Sequence, residues 1–219
     1  MMKRTLPETA SVAQASDGRK MTAPAAERNA EAICALLVDV APSAGHALEL
    51  ASGTGQHVVR FSAALPDLHW QPSEIDAERR NSIDAYAAET GATNISPAVA
   101  LDATRPGWGT EHTGQSLIVV INLLHLISTP QVATLIQEAA RALAPGGRFV
   151  IYGPFMRAGE LTSDGDRTFH ASLIAHDPQI GYKDDFDTLD LLVGAGLDIA
   201  EVVEMPANNL AIIAARPEI

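Results

Sequence analysis

Cysteine is nearly absent: the 219-residue chain has one, Cys34. A single thiol excludes an intramolecular disulfide and any cysteine-based zinc cluster, and its place in the apolar run "AICALLV" reads as a small buried hydrophobe. Aromatic residues make up only 5% of the chain, so the core must be built from small aliphatic side chains, which suits helices packed closely on a sheet. Positive charge is also short. Fifteen Lys and Arg stand against 27 Asp and Glu, for a net charge of -12. A surface of that sign is a poor match for a nucleic-acid backbone or an anionic membrane. No local basic cluster offsets it, because Arg79-Arg80 is the only basic pair beyond Lys3-Arg4 and Arg19-Lys20. No apolar run approaches the ~20 residues that cross a bilayer. Residues 1–20 hold no hydrophobic segment; they are expected to form a disordered polar tail rather than a secretory signal, and the chain to be cytoplasmic.

What is abundant is apolar side chain, at 47%. That supports one substantial core, so residues 21–219 are expected to form a single domain. Ile33, Leu36, Leu37 and Val40 fall at i, i+3, i+4 and i+7, predicting a helix over 25–40. "HALEL" reads as a buried strand and "GQHVVRFSAAL" as a helix leaving a glycine turn. "DLHWQPSEI" reads as a second strand, followed by a helix over "AERRNSIDAYAAET" with Asp76 as N-cap and Gly91 as terminator. "ISPAVALD" is expected as a third strand and "SLIVVINLL" as a fourth. After a helix over "PQVATLIQEAARAL" comes the turn "APGG", then a fifth strand, "RFVIYG". Residues 156–184 show no clear periodicity and are expected to form a substrate-side insertion or lid. "FDTLDLLVGAG" predicts a last helix, and "LDIAEVVEM" and "NLAIIAA" a closing pair of strands. Alternating strands and helices with continuous apolar strands imply an α/β fold. The sheet is expected to be Rossmann-like, seven-stranded and mostly parallel, with helices on both faces and an antiparallel last strand. In such folds ligands bind at the carboxyl ends of the strands.

The stretch "ALELASGTGQH" lies at that place. Glu49 is the one charge in the strand, and Ser52-Gly53-Thr54-Gly55 follows as a turn whose bare backbone lets a ligand approach. A dinucleotide fingerprint would need a third glycine at position 58, which is Val58, so nicotinamide-cofactor binding is disfavoured. A carboxylate before the glycines repels a pyrophosphate and attracts a cation.

This hydrophobic-Glu-hydrophobic-small-x-Gly-x-Gly pattern resembles motif I of class I S-adenosylmethionine-dependent methyltransferases, with Ala51 in place of the usual first glycine. The resemblance implies S-adenosyl-L-methionine as cofactor and S-adenosyl-L-homocysteine as product. It places Glu49 at the amino-acid end of the cofactor, makes Ala51, Ser52, Gly53 and Gly55 cofactor-binding, and puts Glu74 at the ribose, with Asp76 the competitor for that role. Asp102 then falls at the adenine and Asn122 beside the methionine moiety, with Ala103 and Leu123 also cofactor-binding. More specifically, "ERNAEAI", "LELASGTGQH", "WQPSEID", "NLLHLIS", "YGPF" and "EMPANNL" together resemble an uncharacterised methyltransferase family long classed as a domain of unknown function. Its members include methyltransferase-like protein 26. Two departures are Ser116, where an Asp is expected, and "TSDGDRTFH" in the lid.

Methyl transfer is an in-line displacement, and positioning alone supplies much of its rate, so no catalytic triad is required. Strand-end candidates for a base are His125, which also reads as a packed histidine, and Tyr152, which with Gly153 and Asn208 is a candidate for the acceptor pocket. Arg28 and Asn29 are candidates for holding an anionic substrate or the cofactor's carboxylate, against a solvated helix start. No ligand spacing for a metal is present. Asn122-Leu-Leu-His125 lacks the Asn/Asp-Pro-Pro-aromatic turn of enzymes that methylate base amines, so the expected acceptor is a small molecule rather than nucleic acid. A non-catalytic module that keeps the cofactor cleft is the second reading. The sequence carries no signal for an oligomeric state.

Overall fold

Apolar residues in the central strands alternate between two helix layers, and that alternation sets the architecture. A computed structural model of the chain describes residues 13–15 and 18–218. In chain order its elements are β1 (Gln14–Ala15), β2 (Met21–Thr22), α1 (Pro24–Val40), β3 (Gly45–Leu50), α2 (Gln56–Ala64), β4 (Leu68–Pro72), α3 (Ala77–Thr90), α4 (Trp108–Glu111) and β5 (Gln115–Ile121). A 3-10 turn, Leu124–Leu126, leads to α5 (Thr129–Ala142), β6 (Leu143–Met156), α6 (Asp164–His176), β7 (Lys183–Asp184), α7 (Asp185–Gly194), β8 (Asp198–Met205) and β9 (Asn209–Ala215). The sheet has seven strands in the order β4-β3-β5-β6-β9-β8, with β7 beside the end of β6. Neighbours from β4 to β6 are parallel, and β9 runs antiparallel to both β6 and β8.

Ala47, Leu117, Val119, Val150, Tyr152, Ala211 and Ile213 face one layer, where they pack with Ile33 and Leu37 of α1, Phe61 of α2 and Ile83 of α3. Their neighbours Leu48, Ile118, Val120, Phe149, Ile151 and Ile212 face the other, against Val132, Leu135 and Ile136 of α5 and Leu192 of α7. Both faces are dry, which is why these strands read as continuous apolar runs. Cys34 is half-buried at the rim of the first layer rather than inside it.

Three segments differ from the sequence expectation. The stretch "APGG", expected as a turn, lies inside β6. The third strand is reduced to isolated parallel bridges, Trp70 with Ile95 and Ser73 with Val99. Pro72 has no N–H to give the ladder, and the Ala98 N–H is taken by Asp84 Oδ1 of α3 at 2.8 Å. The register therefore slips by one residue between the bridges. The stretch 156–184 contains a regular helix, α6, whose N-cap Ser163 accepts from the Asp166 N–H. Only Asp166 and Leu173 of this helix are buried, too few to print a helical stripe in the sequence. Of the tail expected over 1–20, residues 1–12, 16 and 17 lie outside the described residues; Gln14–Ala15 pairs with Met21–Thr22.

Two helix ends bear on the site. Asp76 caps α3 by accepting from the Glu78 and Arg79 N–H groups, and Gly91 closes it in the left-handed region at φ 65°. Removing the cap with Asp76→Ala is expected to lower stability by about 1 kcal/mol in urea unfolding. An unchanged midpoint would show that the cap does not hold the helix.

Candidate functional site

At the carboxyl end of β3 the backbone turns through Ala51 (φ 52°), Gly53 (φ 60°) and Gly55 (φ 93°). A buried serine pair ties this turn to β4. The Ser52 N–H donates to the Ser73 carbonyl at 2.8 Å, and Ser73 Oγ donates to the Glu49 carbonyl at 2.8 Å. The two glycines serve different ends. A Cβ on Gly53 would meet nothing within 4 Å, whereas one on Gly55 would sit 2.7 Å from Ile83 Cα. Gly55 thus lets α3 pack against the turn, and Gly53 leaves its outer side open.

Two carboxylates converge here. Glu74 is buried and well partnered: Oε2 accepts from the Gly53 N–H at 3.1 Å, and Oε1 accepts from the N–H groups of Ile75 and Asp76 at 2.8 and 3.2 Å. Glu49 is only 2% exposed, and its Oε2 has no hydrogen-bond partner among the described residues. Burial pushes the Glu49 carboxyl up to about 8, against a smaller pull from Ser52, and the nearby Glu74 charge pushes the same way. A buried, unpartnered carboxyl is a costly feature in a folded chain and marks a place built for a positive or donating ligand.

Glu49 lies on the same side of β3 as Ala47, so by strand alternation it shares the α1–α2 layer with Tyr152. The start of α1 is docked over that layer by side chains at the start of α2. Gln56 Nε2 donates to Glu27 Oε1 at 3.4 Å, and His57 Nε2 lies 2.8 Å from Asn29 Oδ1. Burial raises the Tyr152 hydroxyl above the usual tyrosine range, and a hydrogen bond with the Asn29 side chain opposes the rise. Asn29 therefore joins the sheet edge, while Arg28 is exposed.

The remaining candidates spread along the carboxyl edge. The Asn122 N–H donates to the Tyr152 carbonyl at 2.8 Å, and Asn122 Oδ1 stands 3.6 Å from where a Gly153 Cβ would lie, so this pair is contiguous with Tyr152. Leu123 is half-buried against the α5 layer. Asp102 Oδ1 accepts from the Thr104 N–H and hydroxyl at 3.0 and 2.6 Å, and Oδ2 pairs with Arg105 Nε at 3.3 Å. Ala103 gives its carbonyl to Trp108 Nε1.

His125 sits apart from the glycine turn, in the 3-10 turn, with its ring edge-on to Phe169 and Tyr182 at 5.7 and 6.2 Å between centroids. Burial holds it down to about 3, with the Lys183 charge adding to the effect, and its Nδ1 has no partner among the described residues. Asn208, in the β8–β9 turn, donates from Nδ2 to Asp166 Oδ2 at 3.2 Å, and Tyr182 Oη donates to Asp166 Oδ1 at 3.0 Å. Asn208 thus anchors α6.

Sequence reasoning passed over four residues that the structure brings forward. Ser73 ties the strand ends, His57 holds Asn29, Asp166 gathers contacts from Tyr182 and Asn208, and Ile75, 64% exposed beside Glu74, offers an apolar surface at the edge. His57 and Ile75 adjoin the motif residues and were open to notice; Ser73 and Asp166 had no local signal. Shape alone does not single out this edge. Surface hollows of about 360 Å³ beside α3 and about 250 Å³ at the amino ends of the strands contain none of the candidate residues. The orphaned Glu49 oxygen does mark it. Among the described residues no group of three or more His, Cys, Asp or Glu side chains is placed to hold a metal ion, and no helix is long and apolar enough to cross a membrane.

Strand order and helix layers define a Rossmann-like fold of the kind methyltransferases have, and solved structures agree. An O-methyltransferase family protein from Burkholderia thailandensis superposes with a TM-score of 0.75 at 15% identity, covering 88% of this chain and 57% of that one. An O-methyltransferase family 2 protein from Planctomyces limnophilus, in complex with apigenin, gives 0.73 at 18%, covering 88% and 60%. Human N-acetylserotonin methyltransferase in complex with SAM gives 0.69 at 13%, covering 88% and 53%. The chain thus spans a little over half the length of these structures. The chain belongs to the family described as "Protein of unknown function (DUF938)", whose model matches residues 20–216.

The two glycines give a first test. Gly55→Ala is expected to cost about 2–3 kcal/mol in urea unfolding, from backbone overlap plus its positive φ, and Gly53→Ala about 1 kcal/mol, from φ alone. Equal losses would contradict the division of roles. Glu49 gives a second. Its folded value near 8 lies above the ordinary 4.5. As pH rises between the two, the unfolded chain releases a proton that the folded chain keeps, so stability falls. Glu49→Gln is expected to remove that fall, gaining about 4 kcal/mol at pH 8 and little at pH 4.5. A pH-independent difference would refute the raised carboxyl.

Proposed function

We propose that this chain is an S-adenosylmethionine-dependent methyltransferase acting on a small-molecule acceptor. The observation that carries the reading is the buried, unpartnered Oε2 of Glu49 beside the open side of Gly53. The residues present fit the cofactor. Glu49 would meet its positive amino-acid end, Glu74 its ribose hydroxyls, exposed Ile75 one face of the planar base, and Asp102 the exocyclic amine. Asn122 and Leu123 would border the methionine moiety. When bound, the sulfonium supplies an activated methyl group. The chain's part is to align an acceptor oxygen, nitrogen or other nucleophile behind that methyl and keep water out. Tyr152, Gly153 and Asn208 would line the acceptor side, with 156–184 as its outer wall. The narrower kinship with methyltransferase-like protein 26 rests on the sequence segments quoted above, and a cytoplasmic location on composition.

One observation favours a second reading, a binding module that keeps the cleft without turnover. Neither base candidate suits neutral pH: burial leaves His125 a very weak base, and the Tyr152 hydroxyl is pushed further from ionisation. Under the enzyme reading, the acceptor therefore arrives already deprotonated or sheds its proton to water.

Calorimetric titration with S-adenosylhomocysteine is expected to show one site that Gly53→Arg abolishes, and titration with NADH none. Absence of nucleoside binding by folded protein would overturn the reading. A gain of one methyl group by any metabolite, dependent on the protein and on S-adenosylmethionine, decides against the module.

A further inference from the structure

The glycine turn runs straight into α2, and the first residues of that helix reach up to α1. His57 is buried at this junction, its ring stacked on Phe61 at 5.5 Å and 11°, so it has little freedom to swing away. Its Nε2 lies 2.8 Å from Asn29 Oδ1. A carbonyl oxygen only accepts, so Nε2 carries the hydrogen and donates. Burial, with the Arg60 charge adding to it, holds the imidazole down to about 4, so the ring is neutral and this tautomer persists at physiological pH. An amide has two unlike ends. Once Oδ1 is engaged by His57, Nδ2 is left to face Tyr152, whose oxygen accepts the Asn29 hydrogen bond. The phenolic hydrogen is then free to point elsewhere.

We infer that His57 is a positioning residue: its bond to Asn29 Oδ1 sets the amide so that Asn29 Nδ2 and the Tyr152 hydroxyl stand as paired donors at the sheet edge, aimed at the carboxylate of the bound nucleoside. The inference rests on the methyltransferase reading and extends it. It gives His57 a role at one remove from the ligand, and moves the Tyr152 hydroxyl from the acceptor side to the cofactor, as a donor rather than a base. It also divides the cofactor's amino-acid end between two sets of residues. Glu49 takes the positive group, and the Asn29–Tyr152 pair takes the negative one.

The test has a ligand-free arm and a ligand arm. The imidazole ¹⁵N spectrum of the free protein is expected to show His57 protonated on Nε2 only across pH 6–8; the opposite tautomer overturns the inference whatever the protein binds. In titrations, His57→Phe keeps the stack on Phe61 but cannot donate, while His57→Gln restores a donor. His57→Phe is expected to bind S-adenosylhomocysteine about five- to tenfold more weakly, and His57→Gln to recover most of the loss. Methylthioadenosine, which lacks the amino-acid carboxylate, is expected to bind wild type and His57→Phe alike. Equal weakening for both nucleosides marks a merely structural role and overturns the inference, as does unchanged homocysteine-nucleoside binding by His57→Phe. Wild-type protein that binds neither nucleoside overturns the methyltransferase reading and the carboxylate assignment with it, and the imidazole spectrum then decides the His57–Asn29 link alone.

Discussion

A carboxyl group withdrawn from water needs a donor or a cation to meet it, because desolvation opposes its charge by several kcal/mol. At Glu49 the described residues provide almost nothing of the kind: Ser52 exerts a small pull, Glu74 pushes the other way, and Oε2 has no partner among them. The surrounding structure holds this group in place rather than relieving it. Ser73 and Ser52 lock the strand ends on which it sits, Gly55 admits α3 against the turn, and Glu74 spends its own oxygens on backbone N–H groups. Among the described residues nothing relieves it, and on the proposed reading a bound cation does. That constraint turns a strand-to-helix turn into a site with a preferred charge.

The layer above the carboxyl follows from the same turn. Gln56 and His57 are the first residues of α2, and they hold Glu27 and Asn29 of α1. One short segment, "GTGQH", therefore shapes the floor and fixes the roof. Around residues 156–184 the fold uses different means. Asp166 draws in Thr162, Ser163, Tyr182 and Asn208, which binds α6 to the β8–β9 turn. His125, Phe169 and Tyr182 fill the space between. The glycine turn and the 156–184 segment thus rest on separate networks.

Much of this was legible in the residues. Strands covered on both faces write themselves as unbroken apolar runs, so β3, β5, β9 and the 148–153 part of β6 were expected where they are found. Asp76 and Gly91 announced the ends of α3 because caps depend on local chemistry. Glu49 stood out as the lone charge in an apolar strand. What was hidden depends on partners distant in sequence. Asn29 and His57 are separated by a helix and a strand, and nothing local pairs them. The third strand was overread because Pro72 and the diversion of the Ala98 N–H act through the neighbouring strand and helix. The helix at 164–176 escaped because its exterior is polar and it buries little. That Glu49 would lie inside was readable; that it would lack a partner was not.

Proton-coupled calorimetry tests the central claim most directly. S-adenosylhomocysteine is titrated into the protein at pH 7 in buffers of different ionisation enthalpy, for wild type and Glu49→Gln. With its carboxyl near 8 in the free protein, Glu49 is mostly protonated at the start and gives up its proton to meet the ligand's ammonium. The expected result is release of about one proton per nucleoside bound by wild type and none by Glu49→Gln. Heats that do not vary with buffer, or release that survives in Glu49→Gln, would contradict the account.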